Sequence, residues 1–124
     1  MVKRIALLFF LAAFLIACSA RKGAYNSYDK SAVASYYADK FNGKKTANGE
    51  KFSNSKLTAA HKKLAFGTKL KVTNKANGKS VVVVVNDRGP FSGGRDIDLY
   101  KKAFMQITDN KNHGEIKVTI EVAK

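Results

Sequence analysis

The stretch GTKLKVTNKANGKSVVVVVNDRGPF, residues 67–91, decides the fold. Leu70 and Val72 alternate with Lys69, Lys71 and Thr73, the period of two that belongs to a half-buried strand. Asn77-Gly78 then supplies a hairpin turn, because the tight bends that join paired strands need positive φ at their centre. The returning strand is five consecutive valines, Val81 to Val85. Such a run has no polar side, so both of its faces are expected to be covered, as in a closed barrel or a layered sheet. It ends in Asn86-Asp87-Arg88-Gly89-Pro90-Phe91, a bend far denser than a reversal requires. Pro90 stiffens this bend and Gly89 opens it, so the Asp87 carboxyl is held at a strand end.

Outward from this hairpin, Ala32 to Tyr37 reads as a first strand and Arg95 to Leu99 as another short one. Tyr100 to Ile107 places Ala103, Phe104 and Ile107 at helical spacing, with Asp98 near the helix start, where an acid is favoured. From Glu115 to Val122 the alternation is strict: Ile116, Val118, Ile120 and Val122 against Lys117, Thr119 and Glu121. Asn42-Gly43 and Asn48-Gly49 punctuate a long loop ahead of the small-residue stretch Leu57 to His61. Many short strands and little helix make a mainly β, antiparallel-rich barrel the economical fold, since closure removes exposed edges.

The chain opens with Lys3 and Arg4, then a twelve-residue apolar run from Ile5 to Ile16. That is an export signal in pattern and too short to cross about 30 Å of hydrocarbon. Residues 1–17 are therefore set apart from the fold. Leu15-Ile16-Ala17-Cys18 resembles a bacterial lipobox, in which the Cys is acylated and becomes the first mature residue. An exported chain with one Cys closes no internal disulfide, and lipidation gives that Cys a role. Cys18 is accordingly the expected lipidation site, residues 18–30 the tether, and residues 31–124 the domain. Ser19 and Ala20 carry no acid behind the Cys, which favours the outer membrane, facing the periplasm.

The sequence holds 23 Lys and Arg against 9 Asp and Glu, a net charge of +14. Removing residues 1–17 takes two of those cations and no acid, and leaves +12. An exported, lipidated chain does not meet nucleic acid, so the expected polyanions are peptidoglycan and acidic head groups. With two His, no Cys-x-x-Cys and no His-Glu-x-x-His, neither a metal nor a cofactor is expected. Asp29, Asp39, Asp109 and Glu121 read as surface charge. Asp87 stands apart. Beside apolar strands a carboxyl loses hydration and is primed as a general acid; capping the turn is the equally weighted alternative. His61, ahead of two lysines, reads alone as structural, and His113 receives no role.

Taken in order, A-S-Y-Y at 34–37, F-N-G-K-K-T-A-N-G-E at 41–50, L-T-A-A-H at 57–61, F-G-T at 66–68, N-G-K-S-V at 77–81, N-D-R-G-P-F at 86–91 and R-D-I-D-L at 95–99 resemble the rare lipoprotein A family. The resemblance implies a six-stranded double-psi β-barrel with one or two short helices. It also implies lytic transglycosylation, endolytic or exolytic: cleavage of the MurNAc-GlcNAc β-1,4 bond of peptidoglycan without water, preferring denuded glycan strands. On the family's pattern Asp87 is the general acid and Glu50 and His61 complete the catalytic set, as positioning and tuning groups. Tyr36, Tyr37, Asn86 and Arg88 are candidate sugar contacts. Ala38, Val84 and Tyr100 depart from the pattern without removing a site residue. The chain ends at Lys124 without the SPOR domain many members carry, which bears on septal targeting. Expected partners are glycan strands and, through Cys18, the membrane, with cell-division proteins as further candidates and a monomeric state. A non-catalytic, expansin-like wall-binding lipoprotein is the competing reading.

Overall fold

A computed structural model describes residues 24–37, 41–53, 55–91, 93–109 and 114–124. The signal stretch, Cys18, Ala38 and His113 lie outside these residues. Among the described residues are six strands, β1 (Tyr25–Tyr36), β2 (Thr58–His61), β3 (Lys69–Asn74), β4 (Ser80–Asp87), β5 (Ile97–Leu99) and β6 (Ile116–Ala123), and one helix, α1 (Lys101–Ile107), between β5 and β6. They close in the order β1-β5-β2-β4-β3-β6. Four of the pairings are antiparallel; β1 with β5 and β2 with β4 run parallel. A closed six-stranded barrel with one short helix among the described residues agrees with the architecture expected from the sequence.

The β3–β4 hairpin forms as its alternation predicts, with Leu70 opposite Val83 and Val72 opposite Val81. Its valines, however, do alternate. Val81, Val83 and Val85 point into the core, while Val82 is 42% exposed. The expectation that both faces would be covered is corrected here. Val82 faces outward and Val84 is half-buried, opposite the pairing partners Lys71 and Lys69.

β1 is the other departure, because it starts at Tyr25, inside the stretch read as tether. Tyr25 to Ser27 pair with Ala123 to Glu121, a ladder of backbone bonds that side-chain alternation does not reveal. Irregularities at Ser27/Asp29 and Asp29/Ala32 break the period of two further. β2 also escaped the sequence reading, since Thr58-Ala59-Ala60-His61 shows no alternation and is buried at Ala59, Ala60 and His61.

The interior is filled from every strand by Ala34, Ala59, Leu70, Val72, Val83, Val85, Ile97, Leu99, Val118 and Ile120, each fully buried. α1 plugs one side with Ala103, Phe104 and Ile107, as its spacing predicts. No acid occupies its first turn. Asp98, expected near that helix start, turns back instead to Ser35 and to Arg95 Nη1, 2.9 Å away. Arg95 Nη1 also donates to Ser35 Oγ at 2.9 Å, so the three groups knit β1 to β5.

Candidate active site

Asp87 ends β4, opposite Ala60 of β2 across a bulge. The turn beyond it is fixed by Gly89, at φ 125°, where a side chain would be strained, and by buried Pro90, which follows a cis peptide bond. The carboxylate is therefore not free to swing. Oδ1 accepts the amide N–H of Ala47 at 2.8 Å and that of Arg88 at 2.9 Å. Oδ2 accepts the Tyr37 hydroxyl at 2.7 Å.

The Ala47 amide comes from a small hairpin that the sequence presents only as a loop with two Asn-Gly pairs. Gly43 and Thr46 donate to Phe52 O and Glu50 O, Phe52 donates back to Lys44 O, and Lys45 bridges Lys51. Asn48 at the tip fastens the hairpin to the barrel, its amide reaching Asn86 O at 3.2 Å. The Asn48 side chain donates to Glu50 Oε1 and accepts from the Glu50 amide and the Thr46 hydroxyl. Glu50 thus reaches Asp87 through the hairpin tip: it holds Asn48, and the neighbouring Ala47 holds Asp87.

Behind the carboxylate lies an aromatic cluster. Tyr37 meets Phe41, Phe52 and Tyr100 edge to face at centroid separations of 5.8, 4.7 and 5.5 Å. Burial first, then the Asp87 carboxylate, pushes the Tyr37 hydroxyl far above its ordinary range, so it stays a donor. Tyr100 is likewise raised, chiefly by burial, with the charges of Asp87 and Glu50 adding to the effect. Its hydroxyl donates to Asn86 Oδ1 at 3.1 Å, while Asn86 Nδ2 is buried without a partner among the described residues.

Of the residues expected at the site, Asp87, Tyr37, Asn86 and Glu50 therefore join one network. His61 lies apart. Its Nδ1 accepts the amides of Lys63 and Leu64, and the ring borders a separate hollow. Arg88 connects the two places, with its amide on Asp87 and its Nη1 on the carbonyls of Leu64, 2.7 Å, and His61, 3.3 Å. Its guanidinium also stacks 4.1 Å over Phe66. Tyr36 packs on Phe104, ring centroids 4.8 Å apart, and faces Arg95 rather than Asp87. Phe52, Tyr100 and the Ala47 amide were not singled out from the sequence. The signal for them was present in Thr46-Ala47-Asn48-Gly49, whose turn chemistry marks a hairpin tip. Among the described residues no group of three or more His, Cys, Asp or Glu could hold a metal ion.

The family model described as lytic transglycolase matches residues 29–120. The Synechocystis protein named probable endolytic peptidoglycan transglycosylase RlpA is 61% identical over 70 residues, which are 56% of this chain and 22% of the relative. The proteins named endolytic peptidoglycan transglycosylase RlpA from Rickettsia felis and Rickettsia bellii are 52% and 48% identical. They match 77% and 82% of this chain and 42% and 45% of their own length, so the chain spans less than half of these relatives. Two solved structures share the fold. Streptomyces papain inhibitor superposes with a TM-score of 0.63 at 21% identity, covering 78% of this chain and 96% of that one. A mutant Clavibacter michiganensis expansin in complex with cellohexaose gives 0.61 at 20% identity, covering 78% and 51%.

Proposed function

The chain belongs to the lytic transglycolase family, and from this premise, with its RlpA relatives, we propose that it is a peptidoglycan lytic transglycosylase with Asp87 as its general acid. The observation that carries the reading is the fixed carboxylate at the hairpin tip. Two amides occupy Oδ1, so the proton that reacts rides on Oδ2 beside the Tyr37 hydroxyl. Asp87 gives this proton to the oxygen bridging MurNAc and GlcNAc as the C1–O bond breaks. The muramyl 6-hydroxyl attacks C1 to form the 1,6-anhydro ring and returns its proton to Asp87. No water enters, and one carboxyl acts as acid and then base. Glu50 serves as a positioning residue, through Asn48 and the hairpin.

The test is digestion of denuded glycan strands with product analysis by mass spectrometry. Release of 1,6-anhydro-muramyl ends is expected, with a loss of roughly 100-fold or more in Asp87→Asn, in line with removal of a general acid. Asn retains an acceptor for the Ala47 and Arg88 amides, so the hairpin stays seated. A wild-type chain that releases no anhydro product, or an Asn variant of equal rate, overturns the reading.

The charge of +12 beyond residues 1–17 favours a second reading, a wall-binding module without turnover. It predicts sedimentation with sacculi that weakens steeply with salt and ignores Asp87→Asn. Anchoring through Cys18 belongs to either reading and is checked by palmitate labelling of wild type against Cys18→Ser.

A further inference from the structure

Tyr100 stands where local rules favour another kind of residue. It is the N-cap of α1, extended at φ −69° and ψ 150°, yet its side chain makes no capping bond and the first turn of the helix carries no acid. Ser, Thr, Asn or Asp at this position would satisfy one of the free amides that open a helix. Tyr100 instead buries its whole side chain, and that burial is the chief reason its hydroxyl keeps its proton. A forgone cap and a buried polar group are departures of the kind that concentrate at functional sites.

The side chain reaches both arms that hold the Asp87 carboxylate. On one arm its ring meets Tyr37 edge to face at 5.5 Å, and the Tyr37 hydroxyl is the donor to Oδ2. Both tyrosines have fixed roots, because the Tyr37 amide donates to Leu99 O at 3.1 Å and the Tyr100 amide to Thr58 O at 3.0 Å. On the other arm is the hairpin whose Ala47 amide donates to Oδ1. Its stem residue Phe52 lies 4.3 Å from the Tyr100 ring. Its tip is held by Asn86 O, which accepts the Asn48 amide, and the Tyr100 hydroxyl donates to Asn86 Oδ1 at 3.1 Å. Asn86 is 1% exposed and its Nδ2 has no partner among the described residues, so the Tyr100 hydroxyl is the bond that orients this amide. Losing it would leave a second buried polar atom unmet, a cost that a shift of the end of β4 relieves. We propose that Tyr100 is a positioning residue for the general acid, its ring seating Tyr37 and Phe52 and its hydroxyl fixing Asn86, so that Oδ2 meets the glycosidic oxygen in one orientation. The proposal rests on the transglycosylase reading above.

Tyr100→Phe in the full chain tests it, since the ring stays and only the hydroxyl goes. On denuded strands kcat should fall roughly tenfold while KM stays within about twofold, because the acid is misaimed and the substrate contacts are not. Amide hydrogen exchange followed by NMR should quicken about tenfold at Ala47 and Asn48 and hold at the amides of β3 and β6. Tyr100→Leu, which loses the ring as well, should lower kcat further. Wild-type kcat in a folded Tyr100→Phe chain, a loss carried by KM instead of kcat, or exchange that quickens evenly over the barrel overturns the assignment. Equal losses in Tyr100→Phe and Tyr100→Leu remove the ring's share and overturn it too. A wild type that releases no anhydro product sinks the transglycosylase reading, and exchange at Ala47 and Asn48 then decides whether Tyr100 holds the two arms. Turnover in wild type with exchange unchanged by Tyr100→Phe does the reverse.

Discussion

A single hydroxyl tests the Asp87 geometry most directly. Tyr37→Phe removes the Oδ2 donor and leaves the ring among Phe41, Phe52 and Tyr100. One hydrogen bond to a charged group contributes about 1.5–3 kcal/mol. A fall in Tm of several degrees is therefore expected by thermal denaturation, with a larger proportional loss of anhydro product. His61 makes a pH prediction. Its folded affinity for protons lies below the unfolded value of about 6.5, so the unfolded chain binds more protons as pH falls. The stability this group contributes is complete above about pH 6.5 and is lost as pH drops towards its lower folded value. Denaturant midpoints measured between pH 7.5 and 5 should fall more steeply in wild type than in His61→Gln; equal slopes refute the assignment. The position of Asp87 at a strand end was legible from the sequence because a Gly and a Pro close the turn behind it. The split between Asp87 and His61 was not, because the two residues lie 26 positions apart and only the parallel β2–β4 pairing, with its bulge, sets their relation.

Among the elements, the hairpin over residues 43–52 is held to the barrel by few bonds: the Ala47 and Asn48 amides, and the Phe52 ring under Tyr37 and Tyr100. Ala47→Pro deletes the first of these at an exposed position. Trypsin should then cut at Lys44, Lys45 or Lys51 markedly faster, with little change in global Tm; unchanged cleavage would show that Asp87 does not secure the hairpin. β3, α1 and β6 could be read because each carries its period within one segment, and the Asn77-Gly78 turn led from β3 to the apolar run of β4. β2 and the first half of β1 could not, since their partners lie far along the chain and their side chains announce neither face.

At the scale of the whole molecule, closure divides each strand into an inner and an outer row, and adjacent valines test that division. Val83→Thr places a hydroxyl in the fully buried interior and is expected to cost roughly 1–3 kcal/mol, read as a lower urea midpoint. Val82→Thr, one residue away and 42% exposed, should stay within about 0.5 kcal/mol. Comparable losses at both would mean that the outer face is covered after all. The barrel class was legible from the number of short alternating strands. The two parallel pairings were not, because nothing local in a sequence distinguishes a strand that pairs with its neighbour from one that crosses the barrel.

Lys124 N–H donates to Ala24 O at 3.0 Å, and Tyr25 pairs with Ala123, so the described chain enters and leaves the barrel at one spot. Tension applied between those two points would open the β1–β6 seam like a zip, loading one rung at a time instead of shearing the whole row. Such a seam yields at low force, whereas a pull between residue 24 and the β3–β4 turn must drag several rungs together.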